Sequence, residues 1–285
     1  MKCLLIITSI IMLWACSGVN ETKDNDNAEN TLENEIDEMA VYTIPSPLFI
    51  GSALKEMNCS YNSDILNDQR KVTFSGVGKI LNNSLLLGLY ISDFGYAFIN
   101  DQQSDMNIFL AKSDELIRML DLQSPVVTEL MLRLRGNLHS KDSVRTLINE
   151  LQTKISKHYL DNNNNIISIY ILIGMFTEGI YLTTHACNDP DKKSISFMSA
   201  NFNQILLQQK AFIINLREML DKSGIEPDPI LLNHLSKLDT CFKDLKITYS
   251  VDAKKNRIKY IHLDKTKLPA FNENVIKFRQ WIKKG

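Results

Sequence analysis

The chain has 285 residues, 44% of them hydrophobic and 23% charged, with only 11 glycines and 7 prolines. That balance excludes a disordered or fibrous protein and leaves room for one large domain or two small ones. The net charge of −1 is unevenly spread: residues 1–40 hold two basic and eight acidic side chains, whereas residues 243–285 hold twelve basic and four acidic ones. Such poles read either as interacting ends or, more simply, as a solvated acidic tether and a solvated basic helix face.

Lys2 precedes an apolar run, Cys3 to Leu13, interrupted only by Thr8 and Ser9. The run has the length of an export leader and falls short of the ~20 residues that span a bilayer. It ends Leu13-Trp14-Ala15-Cys16. This resembles the lipobox of bacterial lipoproteins, with an aliphatic residue three before the cysteine and a small one directly before it; Trp14 departs from the small or β-branched residue usual between them. The resemblance implies removal of residues 1–15 and a thioether-linked diacylglyceride on Cys16. Several acyl chains hold a protein firmly to a membrane where one does not. Ser17, in place of aspartate, implies by the same family rule the outer membrane, facing the periplasm. The segment 16–41, rich in Asn, Asp and Glu, has too little apolar content to offset its ordering entropy and is expected to be an acidic flexible tether. Its Lys23-Asp24-Asn25-Asp26 stretch is loosely similar to export signals that lead to the cell surface, which is the alternative location.

From residue 42 to 285 the pattern predicts a single helical domain. Pro45 and Pro47 force an extended entry, and Pro47 suits the first turn of a helix over 47–57 capped by Ser46. A loop follows, with one helical turn near Ser63–Asn67. Residues 78–100 are apolar on every side and predict a buried central helix. Gly88, Ser92 and Gly95 stripe one face of it, where a second helix can approach. Amphipathic helices are expected over 103–121, from Pro125 to Gly136-Asn137, and onward from Ser140, the last burying Val144, Leu147, Ile148, Leu151, Ile155 and Tyr159. Asp161 to Asn165 reads as loop. A second all-round apolar helix is predicted over 165–187; Glu178 and His185 interrupt it, which favours burial in a protein core over a membrane span. After the break at Asp189-Pro190-Asp191 come helices over 194–221, ended by Ser223-Gly224, and 228–244. Ile247–Val251 and Arg257–His262 read as two short strands around Asp252–Asn256. A basic helix over 269–283 carries the apolar stripe Phe271, Val275, Phe278 and Ile282.

A duplication is visible: a buried glycine-bearing helix followed by amphipathic helices occurs at 78–160 and at 165–245, with Leu87-Gly88-x-Tyr90 aligned on Ile173-Gly174-x-Phe176. The fold class expected is therefore all-α, a multi-helix bundle or stacked helical hairpins in two pseudo-repeats around two buried central helices, with a small C-terminal β-hairpin. The pair YTIPSP at 42–47 and LGLYISDFGYA at 87–97 resembles uncharacterised all-helical exported lipoproteins of the Bacteroidota. That resemblance implies location and fold and assigns no catalytic residue.

No GxSxG, Walker loop or GxGxxG occurs, and no Cys/His spacing suits zinc, so no catalytic, metal or cofactor site is expected. The odd residues are acids inside apolar helices. Asp93 sits among Ile91, Phe94 and Tyr96, and Glu178 among Phe176, Ile180 and Tyr181. A buried carboxylate is costly unless paired. Asp93, Tyr96, Glu178, Tyr181 and His185 are therefore the candidate ligand pocket. The competing reading is structural, with each acid satisfied by a tyrosine, a backbone group or an arginine such as Arg133 or Arg135. His185, two turns from Glu178, lacks the i, i+3 spacing of a di-iron motif. His139, His158, His234 and His262 are scattered and read as surface or boundary residues. Cys59, Cys187 and Cys241 allow one disulfide of open pairing, or three buried thiols. The basic C-terminus, with Tyr249, Tyr260, Phe271, Phe278 and Trp281 among lysines, could meet an envelope protein or an anionic surface. Nucleic acid is implausible for a protein held outside the cytoplasm. Two functions compete: a non-enzymatic, membrane-anchored envelope lipoprotein with a binding or scaffold domain, and a ligand-binding or enzymatic helical domain using the buried acids.

Overall fold

Helix starts and stops follow local chemistry closely. A computed structural model describes residues 47–67, 79–148, 150, 165–187, 200–252 and 257–284. Cys16, the leader at 1–15 and the tether at 16–41 lie outside the described residues, as do His158, the stretch 151–164 and the Asp189-Pro190-Asp191 break. The helices are α1 (Pro47–Glu56), α2 (Lys79–Ile99), α3 (Gln103–Met119), α4 (Pro125–Gly136), α5 (Asn165–His185), α6 (Ala200–Lys222), α7 (Pro229–Asp244) and α8 (Leu268–Lys284), and residues 141–148 are also helical. Ser124 caps α4, its side chain accepting from Val127 N, and Asp228 caps α7, accepting from Ile230 N and Leu231 N. Three helices end with Asn58, Asp101 or Asp121 in the left-handed region, at φ 56, 60 and 54. In each the next amide reaches back five residues, as Cys59 N does to Leu54 O, Gln102 N to Ala97 O and Leu122 N to Ile117 O. Short Asx side chains tolerate this conformation where other residues resist it.

The β-hairpin is present as β1 (Thr248–Asp252) and β2 (Arg257–His262), antiparallel, with an irregularity between Ser250 and Val251. Asn203 on α6 donates through Nδ2 to Ile261 O and ties the hairpin to the bundle.

α2 and α5 are the two central helices. α2 packs on α1, α3 and α5, while α5 also meets α6 and α8. They cross at glycine on both sides. A Cβ built on Gly88 would overlap Ile171 O and stand 2.6 Å from Met175 N and 2.8 Å from the Gly174 Cα. A Cβ on Gly174 would overlap Leu85 O and stand 3.0 Å from the Gly88 Cα. The contacts are reciprocal: each glycine meets the residue three before the other. The two short motifs aligned in the sequence, at Gly88 and at Gly174, thus meet at their glycines. Ser92, one turn on, donates to Met175 O across the same seam at 3.3 Å.

By length and composition Ile166–His185 could cross a membrane, yet 78% of that stretch is buried against the other helices. Its threonine hydroxyls are absorbed internally, with Thr177 donating to Ile173 O, Thr183 to Gly179 O and Thr184 to Ile180 O. Such back-bonding lets a polar residue sit in an apolar core. Phe176 gathers the C-terminal half, with its ring 5.9 Å from Phe212 of α6 and 6.4 Å from Phe242 of α7. Phe242 in turn meets Phe271 of α8 edge-on at 4.9 Å. Phe271 and Phe278 are therefore core residues, fully buried, and cannot line a basic outer face as their spacing among lysines suggests. Tyr260 does remain outside, 61% exposed.

Candidate functional site

The two acids lie on the two central helices, Asp93 on α2 and Glu178 on α5, and both are fully buried. Glu178 on α5 is held by Arg279 of α8. Arg279 Nε donates to Glu178 Oε2 at 2.7 Å and Nη2 to Oε1 at 2.9 Å, a two-pronged pair sealed from solvent. Nη2 also donates to Ile65 O at 2.9 Å, and the guanidinium lies 3.8 Å from the centre of the Tyr181 ring. Arginine suits this place because its planar fork matches a carboxylate and its flat face lies on an aromatic ring.

Arg279 corrects one sequence expectation. Arg133 and Arg135 do not reach either buried acid. They stand on the exposed side of α4, where Arg133 pairs with Glu129 and Glu150 and Arg135 with Asp114. The signal that could have found Arg279 is its register. It follows Val275 by four and precedes Ile282 by three, so it falls on the apolar stripe of α8, whereas the neighbouring lysines point outward.

Asp93 on α2 is held differently. Asn67 donates to its Oδ2 twice, from the backbone N at 3.1 Å and from Nδ2 at 2.7 Å. Asp93 Oδ1 and Asn67 Oδ1 are buried without a hydrogen-bond partner. Burial raises the Asp93 pKa well above the ordinary 3.8, the Glu178 charge raises it further, and Arg279 and Asn67 only partly oppose them. The geometry runs the same way: the Arg279 guanidinium is bonded to Glu178 and makes no hydrogen bond to Asp93.

This makes a pH prediction. Well below pH 3.8 Asp93 is neutral in the folded and the unfolded chain and contributes no pH dependence. As pH rises past that value the unfolded chain ionises and the folded one resists, so stability falls until the raised folded pKa is passed. Asp93→Asn removes the slope while keeping the shape of the neutral acid. Its stability relative to the parent, read from urea unfolding at a series of pH values, is expected to increase from pH 4 upward and to vanish in acid. A pH-independent difference would refute the assignment.

The other candidates are drawn together only in part. Tyr96 is buried, but its hydroxyl accepts from Asn62 N at 3.2 Å and its ring stacks on Tyr61 at 5.0 Å, so it serves the loop over the site rather than either acid. Tyr181 supports Arg279, and burial raises its pKa. His185 stacks on Tyr181 at 4.1 Å and holds its Nδ1 2.9 Å from Tyr181 O, a pairing that needs the Nδ1-protonated ring because a carbonyl only accepts. Burial lowers its pKa, which favours that neutral form. Chemically the cluster is a closed polar knot. Among the described residues no group of three or more His, Cys, Asp or Glu could hold a metal ion.

Cys59 and Cys187 form a disulfide, Cα to Cα 4.9 Å, across 128 residues of chain. Cys241 keeps its thiol. Besides Arg279, the sequence reading did not single out Asn67, and it left open which two of the three cysteines pair; neither carries a local signal, since an asparagine in a loop and three equivalent thiols look the same whatever they face.

No protein-family model matches the chain, and no match to it exists among curated proteins or solved structures.

Proposed function

We propose that the protein is a lipid-anchored envelope protein whose helical domain serves as a non-enzymatic binding or scaffold module outside the cytoplasm. The observation that carries this reading is the Cys59–Cys187 disulfide. Disulfides persist in oxidising compartments and are rare in the cytosol. The leader and lipobox ending at Cys16 supply the route there. The buried acids support the non-enzymatic half: Glu178 is consumed by Arg279 and Asp93 by Asn67, which leaves no free catalytic pair between them. The outer membrane, facing the periplasm, is the location this reading takes.

Cells fed labelled fatty acid test the anchor. The parent chain is expected to take up label and sediment with membranes, and Cys16→Ser to lose the label and be released. Absence of label from the parent, with Cys16→Ser still membrane-bound, refutes the anchor. A non-reducing gel of protein from the same cells tests the compartment, where free Cys59 and Cys187 thiols would count against it.

A further inference from the structure

Residues 59–67 form a strap between α1 and the buried acids, held by the apolar burial of Ile65 and Leu66, by the Tyr61–Tyr96 stack and by a set of hydrogen bonds. Tyr61 donates to Asp105 Oδ2 at 2.6 Å, Asn62 N to the Tyr96 hydroxyl, and Asn67 twice to Asp93. Ile65 O accepts from Arg279. The strap thus makes hydrogen bonds to α2, α3 and α8, touching Asp93 through Asn67 and Arg279 through Ile65 O, and Ile65, Leu66 and Asn67 are all buried. At its other end, the left-handed Asn58 turns the chain out of α1 and delivers Cys59 to Cys187, just past the end of α5.

The closed strap is held by these hydrogen bonds, by the burial of Ile65 and Leu66 and by the covalent tie, which restricts the strap when it is open. The tie is the one of these that chemistry can switch. Cys59 and Cys187 are partly buried residues at the edge of the core.

We propose that the Cys59–Cys187 disulfide is a redox latch on this strap, and that its reduction uncovers the Asp93–Glu178–Arg279 cluster. The reductant is a dithiol. Its thiolate attacks one sulfur, the Cys59–Cys187 bond breaks as a mixed disulfide forms, and the second thiol displaces the protein sulfur. Two electrons and two protons pass to Cys59 and Cys187, and the dithiol leaves as its own disulfide. The uncovered surface then offers a carboxylate that has lost the two Asn67 donors and an arginine that has lost the Ile65 carbonyl. The strap fills these places with amide N–H groups and a carbonyl, so a polypeptide segment is the chemical class that fits them in its absence. The latch depends on the oxidised pair alone and stands whether or not Cys16 carries lipid.

Hydrogen exchange on the full chain, oxidised and after dithiothreitol, tests the latch. Cys59→Ser/Cys187→Ser provides the reduced state without rearrangement through Cys241. The amides of Asn62 and Asn67 are expected to exchange at least tenfold faster in the reduced protein and in the variant, with α2 and α5 unchanged. Arg279 is expected to become reactive to a dicarbonyl reagent in the same two samples and to stay protected in the oxidised one. Unchanged exchange at Asn62 and Asn67 would overturn the proposal, since the strap would then be held without its tie. A parallel rise throughout α2 and α5 would also overturn it, since the disulfide would then be a staple for the whole domain. Loss of the lipid anchor would leave both readouts as they are, so the two readings fail separately.

Discussion

Arg279→Met is expected to cost about 3–5 kcal/mol of folding stability, because it strands the Glu178 carboxylate in a dry core with no counter-charge. That is a large share of the ~5–15 kcal/mol that holds a typical domain together. Glu178→Leu strands the arginine instead and should cost a comparable amount. The double variant, Glu178→Leu with Arg279→Met, should recover most of both losses, since filling such a site with apolar groups of similar volume is often neutral or better. It would not recover everything, because Ile65 O loses its donor in every variant that lacks the guanidinium. Arg279→Lys tests the geometry: a single ammonium cannot make both bonds to Glu178 and reach Ile65 O, so it should fall between the parent and Arg279→Met. Urea unfolding of the four proteins at neutral pH completes the cycle. Additive losses, with the double variant the least stable of all, would show that the pair is not coupled.

That cycle also marks the boundary of what the sequence could say. Helices were legible because their cause is local. The long apolar runs of α2 and α5, the apolar periodicity of α7, the caps Ser124 and Asp228, and the stop at Gly224 with φ 68 each act within a few residues. The hairpin was legible for the same reason. The acids were legible as oddities, since a carboxylate in an apolar run must be answered by something. What answers them was not legible. Arg279 is 101 residues from Glu178, and Asn67 is 26 from Asp93. Arg133 and Arg135 were attractive only because arginine was the right chemistry. The basic composition of the C-terminal end hid an arginine that turns inward, although its position on the stripe of Val275 and Ile282 marks it. Charge counts describe a segment, whereas burial is decided one face at a time.

The glycine seam is where local pattern and long-range contact coincide, and it carries the second large effect. Gly88→Ala and Gly174→Ala should each gain up to ~1 kcal/mol of helix propensity in isolation. In the fold each methyl meets backbone of the opposite helix, which cannot rotate away as a side chain could. The helices must separate, and α5 packs on α6 and α8 as well as on α2, so the shift propagates through the core. Overpacking costs about 1–3 kcal/mol where side chains can adjust. Here the loss is expected at or above the top of that range, about 3 kcal/mol for either glycine. Gly136→Ala is the internal control: its Cβ would meet nothing within 4 Å, so the propensity gain should survive and the variant should be as stable as the parent or slightly more so. Combining Gly88→Ala with Gly174→Ala should cost less than the sum of the two, because one separation of the helices relieves both clashes. Full additivity, or seam variants as stable as Gly136→Ala, would mean that α2 and α5 do not cross backbone to backbone at these two residues.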